Sequence, residues 1–107
     1  MEIKELIDFI KLEDKNLKTK FGHYTDEEKR TLARTVKLGE EFGELCDEIL
    51  GNMSLQRKEK LSKRDRENLE KEFADVIITT LLLAKSVNVD IEKAIENKIK
   101  EINGRYK

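Results

Sequence analysis

The chain has 107 residues, a length that suits one compact domain with one hydrophobic core. Its charges nearly cancel, with 22 Lys and Arg against 23 Asp and Glu, so no one-sign field predicts binding to nucleic acid or to an anionic membrane. Cys46 is the only cysteine, which excludes an intramolecular disulfide or a thiolate zinc cluster and favours a reducing cytoplasm.

Apolar residues recur with helical spacing in four segments, and no segment shows the alternation of a strand. The predicted helices cover residues 2–17, 26–50, 65–87 and 91–103. We expect side-chain caps at the starts of the last three helices from Thr25 or Asp26, Ser62 and Asp90, and helix ends near Gly51-Asn52 and Asn88. We therefore expect an all-α fold, a four-helix bundle in a single domain over residues 1–107, and we expect no secretory signal and no membrane span.

Acidic residues in the second helix border its apolar face. On a helical wheel, Glu41, Glu44 and Glu48 fall within about 60° of one another, beside a broad apolar arc. The width of that arc predicts that other helices cover a broad face of this one.

The third helix is apolar on almost every side between Val76 and Ala84, which predicts burial all round. Glu72 and Asp75 continue this wall in line with Thr79, so both should point inward. An unpaired ionised carboxylate in a dry interior costs several kcal/mol, so each must be protonated, paired with a cation or bound to a metal ion.

The acids form two pairs, Glu41 with Glu44 on the second helix and Glu72 with Asp75 on the third. The members of each pair are one helical turn apart, with Cβ atoms about 5–6 Å from each other, so their carboxylates can share an ion. Oxygen ligands on rigid helices favour Mg²⁺, with Mn²⁺ as a substitute. A di-iron bundle would instead need Glu-x-x-His motifs, and His23 is the only histidine. One such pair alone is commonly a surface salt bridge, but two pairs on adjacent helices favour a metal site.

The segments KLGEEFGELCDEIL and NLEKEFADVIITTLLLAKSVNVDIEKAIENKIKEINGRY resemble the MazG-like nucleotide pyrophosphohydrolases of the all-α NTP pyrophosphatase superfamily. The resemblance covers about residues 32–106. Members of this family carry E-E-x-x-E and E-x-x-D motifs that bind Mg²⁺, and they cut a nucleoside triphosphate to the monophosphate and pyrophosphate.

The resemblance implies a role for each acid. Glu41, Glu44, Glu72 and Asp75 would be the metal ligands. Glu40 and Glu41 would be the catalytic residues, with Glu40 a supporting acid or the group that orients the attacking water.

The fourth helix supplies the residues expected to bind substrate. Lys98 lies in the middle of an apolar stripe and should point inward or extend along the stripe to solvent. Lys98, Arg105 and Tyr106 match the family's closing K…R-Y pattern, which implies contacts with the nucleotide. Some relatives have Asn four residues after this lysine, where the present chain has Ile102.

Several alternatives stay open. Phe21, His23 and Tyr24 form either a packed turn or part of a base-binding site. The resemblance also implies a homodimer or homotetramer. A phosphoribosyl-ATP pyrophosphatase, a dUTPase-like or dCTPase-like enzyme, and a non-catalytic helical interaction module are the alternative functions.

Overall fold

The structure is a computed structural model that describes residues 1–22, 25–55 and 63–106, apart from the side chains of residues 54, 55, 63 and 64. It contains four helices: α1 (Ile3–Lys20), α2 (Glu27–Leu55), α3 (Lys63–Ser86) and α4 (Ile91–Gly104). No strand occurs within these ranges. The predicted all-α, four-helix fold is confirmed.

Local side-chain and backbone hydrogen bonds set several helix ends. The Lys29 N–H donates to Asp26 Oδ1 at 2.9 Å, and the Lys93 N–H donates to Asp90 Oδ1 at 3.1 Å. Both predicted caps are therefore present, whereas Ser62 lies outside the described residues. At the end of α3, Asn88 has a φ of 59°, and the Val89 N–H reaches back to the Ala84 carbonyl at 2.9 Å.

The predicted end of α2 at Gly51-Asn52 is wrong, because the helix continues to Leu55. A glycine inside a helix costs only about 1 kcal/mol relative to alanine. That cost does not end a helix of 29 residues that packs along its length against a neighbour. The connector that follows falls mostly on residues 56–62, which lie outside the described part of the chain.

Helices α2 and α3 form an antiparallel hairpin. Near one end, Arg34 Nη1 donates to the Leu82 carbonyl oxygen at 3.1 Å. Further along, Glu41 lies beside Asp75. As residue numbers rise on α2 they fall on α3, which brings the two acidic motifs to the same level of the hairpin.

Helix α1 covers the end of the hairpin that carries Arg34 and Leu82. Its Ile10 forms the buried core with Leu81 and Leu82 of α3. Asp14 of α1 accepts a hydrogen bond from Arg34 Nη1 at 2.7 Å, and Arg34 also binds the Leu82 carbonyl. This buried ion pair joins three helices at a point two turns from Glu41 along α2.

Much of the apolar surface remains exposed in the single chain. Val36 and Phe42 of α2 are exposed, as is Ile77 of α3. The predictions that α2 is covered on a broad face and that α3 is buried all round are wrong for the isolated chain. The physical reason is that α1 packs mainly against α3, while α4 is exposed along almost its whole length, so none of the described helices covers the rest of the hairpin. None of the described helices is both long and apolar enough to cross a bilayer.

Candidate metal centre

Three carboxylates from the two predicted motifs meet between α2 and α3. Oxygen atoms of Glu41, Glu72 and Asp75 all lie within 4.8 Å of one another. Glu41 is buried, Glu72 is half-buried and Asp75 is exposed, so the cluster lies at the edge of the helix interface with one side open to solvent. We call these three residues the acid cluster.

Two oxygen atoms of the acid cluster are buried without a hydrogen-bond partner in the described part of the chain. They are Glu41 Oε2 and Glu72 Oε2. A buried carboxylate oxygen left in this state loses its hydration and gains nothing in return. A cation between the carboxylates would compensate both atoms.

The charges around the acid cluster are unevenly balanced. Lys37 Nζ lies 3.1 Å from Glu41 Oε1 and 3.8 Å from Glu40 Oε2. These contacts raise the pKa of Lys37, the largest cause being its hydrogen bond to Glu41. Lys37 therefore holds one oxygen of Glu41 and leaves the buried one to other partners.

The surroundings of Glu72 disfavour its charged form, in contrast to those of Lys37. Burial, followed by the negative charges of Glu44, Asp75, Glu41 and Glu48, raises the pKa of its carboxyl group. This combination of desolvation and like charge disfavours the ionised form and is typical of a site that binds protons or cations.

The remaining predicted acids lie around the cluster and not inside it. Glu44 is exposed and outside the group of close oxygen atoms, although its charge acts on Glu72. Glu40 is exposed near Lys37. Three of the four residues predicted as metal ligands are therefore together, and Glu44 stands beside them.

The predicted substrate-binding residues lie on α4 and directly after it, away from any covering helix among the described residues. Lys98 is exposed and its Nζ contacts both carboxylate oxygens of Glu101 at 3.1 Å. The expectation that Lys98 points inward is wrong for the single chain, because the apolar stripe of α4 is itself exposed. Arg105 Nη2 lies 3.4 Å from the same Glu101, and Tyr106 is 85% exposed.

The aromatic cluster before α2 is described only in part. Phe21 is exposed, and His23 and Tyr24 lie outside the described residues. Sequence patterns also missed a buried polar residue, Asn52, on the face of α2 that carries Glu41. Its helical spacing of eleven residues from Glu41 was the available signal.

Comparison with known proteins supports the resemblance. The MazG-like family matches residues 32–107. An uncharacterized protein, YpjD of Bacillus subtilis (strain 168), is 33% identical over 76 residues, which are 71% of this chain and 67% of that protein. No solved structure matches the chain significantly.

The fold and the acid cluster define an all-α protein with a candidate metal centre between two antiparallel helices. The chain belongs to the MazG-like family. The matched region contains the whole acid cluster and α4, whereas α1 precedes it. Membership in this family suggests a nucleotide pyrophosphatase type of domain.

Proposed function

We propose that the protein is a Mg²⁺-dependent nucleoside triphosphate pyrophosphohydrolase that converts a (d)NTP into the (d)NMP and pyrophosphate. The observation that carries the proposal is the meeting of Glu41, Glu72 and Asp75 oxygen atoms within 4.8 Å of one another. Membership in the MazG-like family supports the same chemistry.

The residues present fit a hard divalent cation. All the donors are carboxylate oxygens, which Mg²⁺ and Mn²⁺ prefer. Two of these oxygens, on Glu41 and Glu72, are buried and lack another partner among the described residues. Glu41, Glu72 and Asp75 would hold the ion. Glu44, whose charge acts on Glu72, is the fourth ligand of the proposal.

The ion, when bound, would neutralise charge on phosphate oxygens and lower the pKa of a bound water. In the reaction, a water oxygen forms a bond to the α-phosphorus and the bond from that phosphorus to the bridging oxygen breaks. Pyrophosphate leaves with the bonding electrons. The water loses a proton to a carboxylate, for which Glu40 and Glu41 are the candidates.

Lys37 has a positioning role in this proposal. It holds Glu41 Oε1 at 3.1 Å and approaches Glu40 at 3.8 Å. It therefore fixes the two candidate proton acceptors relative to each other, one turn before Glu44. The support for this role is that the Lys37 ammonium contacts both Glu41 and Glu40.

Substrate phosphates also need positive charge, which the acid cluster lacks. We assign substrate binding to Lys98, Arg105 and Tyr106, brought to the site by the assembly of copies of the chain. Lys98 and Arg105 would supply the positive charge and Tyr106 a hydroxyl group. Exposed apolar residues on α2 and α4 support pairing as a homodimer or homotetramer, since a second copy would cover them. A cytoplasmic location remains a prediction.

A single substitution tests the proposed pyrophosphohydrolase activity. We expect Glu72→Gln to lower the rate of pyrophosphate release at least about 100-fold, the upper end of the loss seen when a residue that merely orients a ligand is changed. Glu70→Gln, at an exposed position of the same helix, is the matched control and should retain activity. Release of pyrophosphate from a panel of common and modified (d)NTPs with Mg²⁺ is the measurement.

Calorimetry with Mg²⁺ or Mn²⁺ separates the enzyme from a helical interaction module. The proposal expects cation binding that is lost in Glu72→Gln and kept in Glu70→Gln. A protein that binds no divalent ion, with or without nucleotide, and releases no pyrophosphate would contradict it.

A further inference from the structure

Asn52 is a buried amide that the proposed chemistry does not use. Its side chain is 7% exposed, and Nδ2 is buried with no hydrogen-bond partner among the described residues. A buried donor without a partner opposes folding, so its presence calls for a ligand or another specific reason.

Asn52 lies on the same face of α2 as Glu41 of the acid cluster. It is eleven residues after Glu41 and four after Glu48, so all three side chains lie within about 40° on the helical wheel. This is the side of α2 that packs on α3, because Glu41 and Leu45 on the same side are buried there. Along the axis Asn52 lies about 12 Å beyond Glu44, at 1.5 Å per residue.

The distance from Glu44 to Asn52 suits the end of the substrate that carries the base. If the bond between the α- and β-phosphates lies at the acid cluster, the sugar and base extend further from it than the β- and γ-phosphates do. The base is therefore the part of the nucleotide that extends towards Asn52, about two turns beyond Glu44 along α2.

The charge near Asn52 favours a neutral partner. Glu48 is half-buried one turn away on the same face, and its charge already acts on Glu72. A phosphate group placed there would be repelled by Glu48, whereas a carbonyl oxygen of a base would not. An amide N–H is a suitable donor for such an oxygen.

We propose that Asn52 Nδ2 donates a hydrogen bond to a carbonyl oxygen of the nucleotide base and so selects bases that carry a carbonyl at that edge over bases that carry an amino group. This inference rests on the proposed pyrophosphohydrolase function. It makes Asn52 a specificity-determining residue on the side of the acid cluster opposite Arg34 along α2.

Two substrate pairs test the inference. The purine of dITP carries oxygen where that of dATP carries an amino group, and dUTP differs from dCTP in the same way. We expect kcat/KM to favour the carbonyl member of at least one pair by about tenfold or more in the unmodified protein, as expected for loss of a buried hydrogen bond.

Two variants separate recognition from folding. Asn52→Ala removes the donor and should bring the kcat/KM ratio of that pair to within about twofold of one. Asn52→Asp has nearly the same size but presents only acceptors at about pH 8, and should reverse the preference towards the amino member. Asn16→Ala, at an exposed position of α1, is the control and should keep the original ratio. Mg²⁺ binding should be unchanged in all three variants.

The outcomes distinguish this inference from the function on which it rests. If the unmodified protein releases no pyrophosphate from any nucleotide, both fail. If it is active but shows no carbonyl preference, or if the ratio is the same in both Asn52 variants, the inference alone is overturned. Loss of folding in both Asn52 variants would show a structural role and also overturn it.

Discussion

Glu72 carries much of the electrostatic cost of bringing the acidic side chains together. Burial and the neighbouring carboxylates raise its pKa in the folded chain, so without metal the native state binds more protons than the unfolded state. We therefore expect the melting temperature in EDTA to rise as the pH falls from about 8 to about 5, and Glu72→Gln to remove most of this slope. Thermal denaturation at a series of pH values is the measurement.

Addition of Mg²⁺ should oppose this dependence of the melting temperature on pH. Protons and the cation compete for the same carboxylate, so stabilisation by Mg²⁺ should grow as the pH rises. Glu70→Gln should behave like the unmodified protein. Equal slopes in Glu72→Gln and the unmodified protein would show that Glu72 does not titrate in the proposed way.

At the residue scale, the sequence predicted four acids as neighbours, and three of them come together. The cost of burying a carboxylate and the one-turn spacing of each motif pointed to Glu41, Glu72 and Asp75, but the spacing pointed equally to Glu44, which is exposed and lies outside the group. The orientation of Lys98 was not predictable, because an apolar stripe indicates which face is covered but does not show that the covering partner belongs to the same chain.

At the element scale, α1 is held to the hairpin by a buried ion pair. Asp14 is 4% exposed and binds both Arg34 at 2.7 Å and Lys18 at 2.9 Å. Burial acts to raise the pKa of Asp14, but the hydrogen bonds to Lys18 and Arg34 outweigh burial and hold it below its ordinary value. Its contribution to stability is therefore present above the pKa of the unfolded state and is lost as the pH falls through the lowered pKa.

We expect Asp14→Asn to destabilise the protein by about 3 kcal/mol, because the Arg34 guanidinium stays buried after its carboxylate is removed. Asp8→Asn on the same helix breaks an exposed pair with Lys4 and should change the free energy of unfolding by less than about 1 kcal/mol. Urea unfolding of both variants is the measurement. Equal small effects would show that the ion pair does not hold α1 in place.

The helices themselves were largely predictable from periodicity and caps, as Asp26 and Asp90 show. The Asp14–Arg34 pair was not, because it joins residues twenty positions apart whose contact depends on how α1 packs. Local signals likewise failed at Gly51, where packing of α2 against α3 outweighs the low helix propensity of glycine.

At the scale of the whole molecule, the side of α2 opposite Glu41 is an exposed stripe. Leu32, Val36 and Leu50 are each about 60% exposed on it, and Gly39 and Gly43 lie between them. Apart from the adjacent residues and the backbone of α2 itself, no atom would lie within 4 Å of a methyl group added at either glycine. The absence of side chains at these two positions lets another helix approach closely, so this stripe is where we expect a second copy to pack.

Replacing these glycines with alanine should stabilise the monomer but weaken the pairing of two copies. Gly39→Ala meets no neighbour in the single chain, so it should stabilise the folded monomer by about 0.5–1 kcal/mol through helix propensity. In a pair that packs through the stripe, the added methyl groups would separate the two helices. Gly39→Ala together with Gly43→Ala should therefore weaken dimerisation at least about tenfold, as overpacking of a close contact does.

Sedimentation equilibrium over a range of concentrations measures the dimer Kd, and thermal denaturation at low concentration measures the monomer. Thr19→Glu on α1 is a control for Val36→Glu, since each adds one negative charge at an exposed position and only Val36 lies on the stripe. Val36→Glu should abolish pairing while Thr19→Glu leaves it intact. A dimer that tolerates both the glycine changes and Val36→Glu must use another surface, and the exposed isoleucines of α4 would be the next to test.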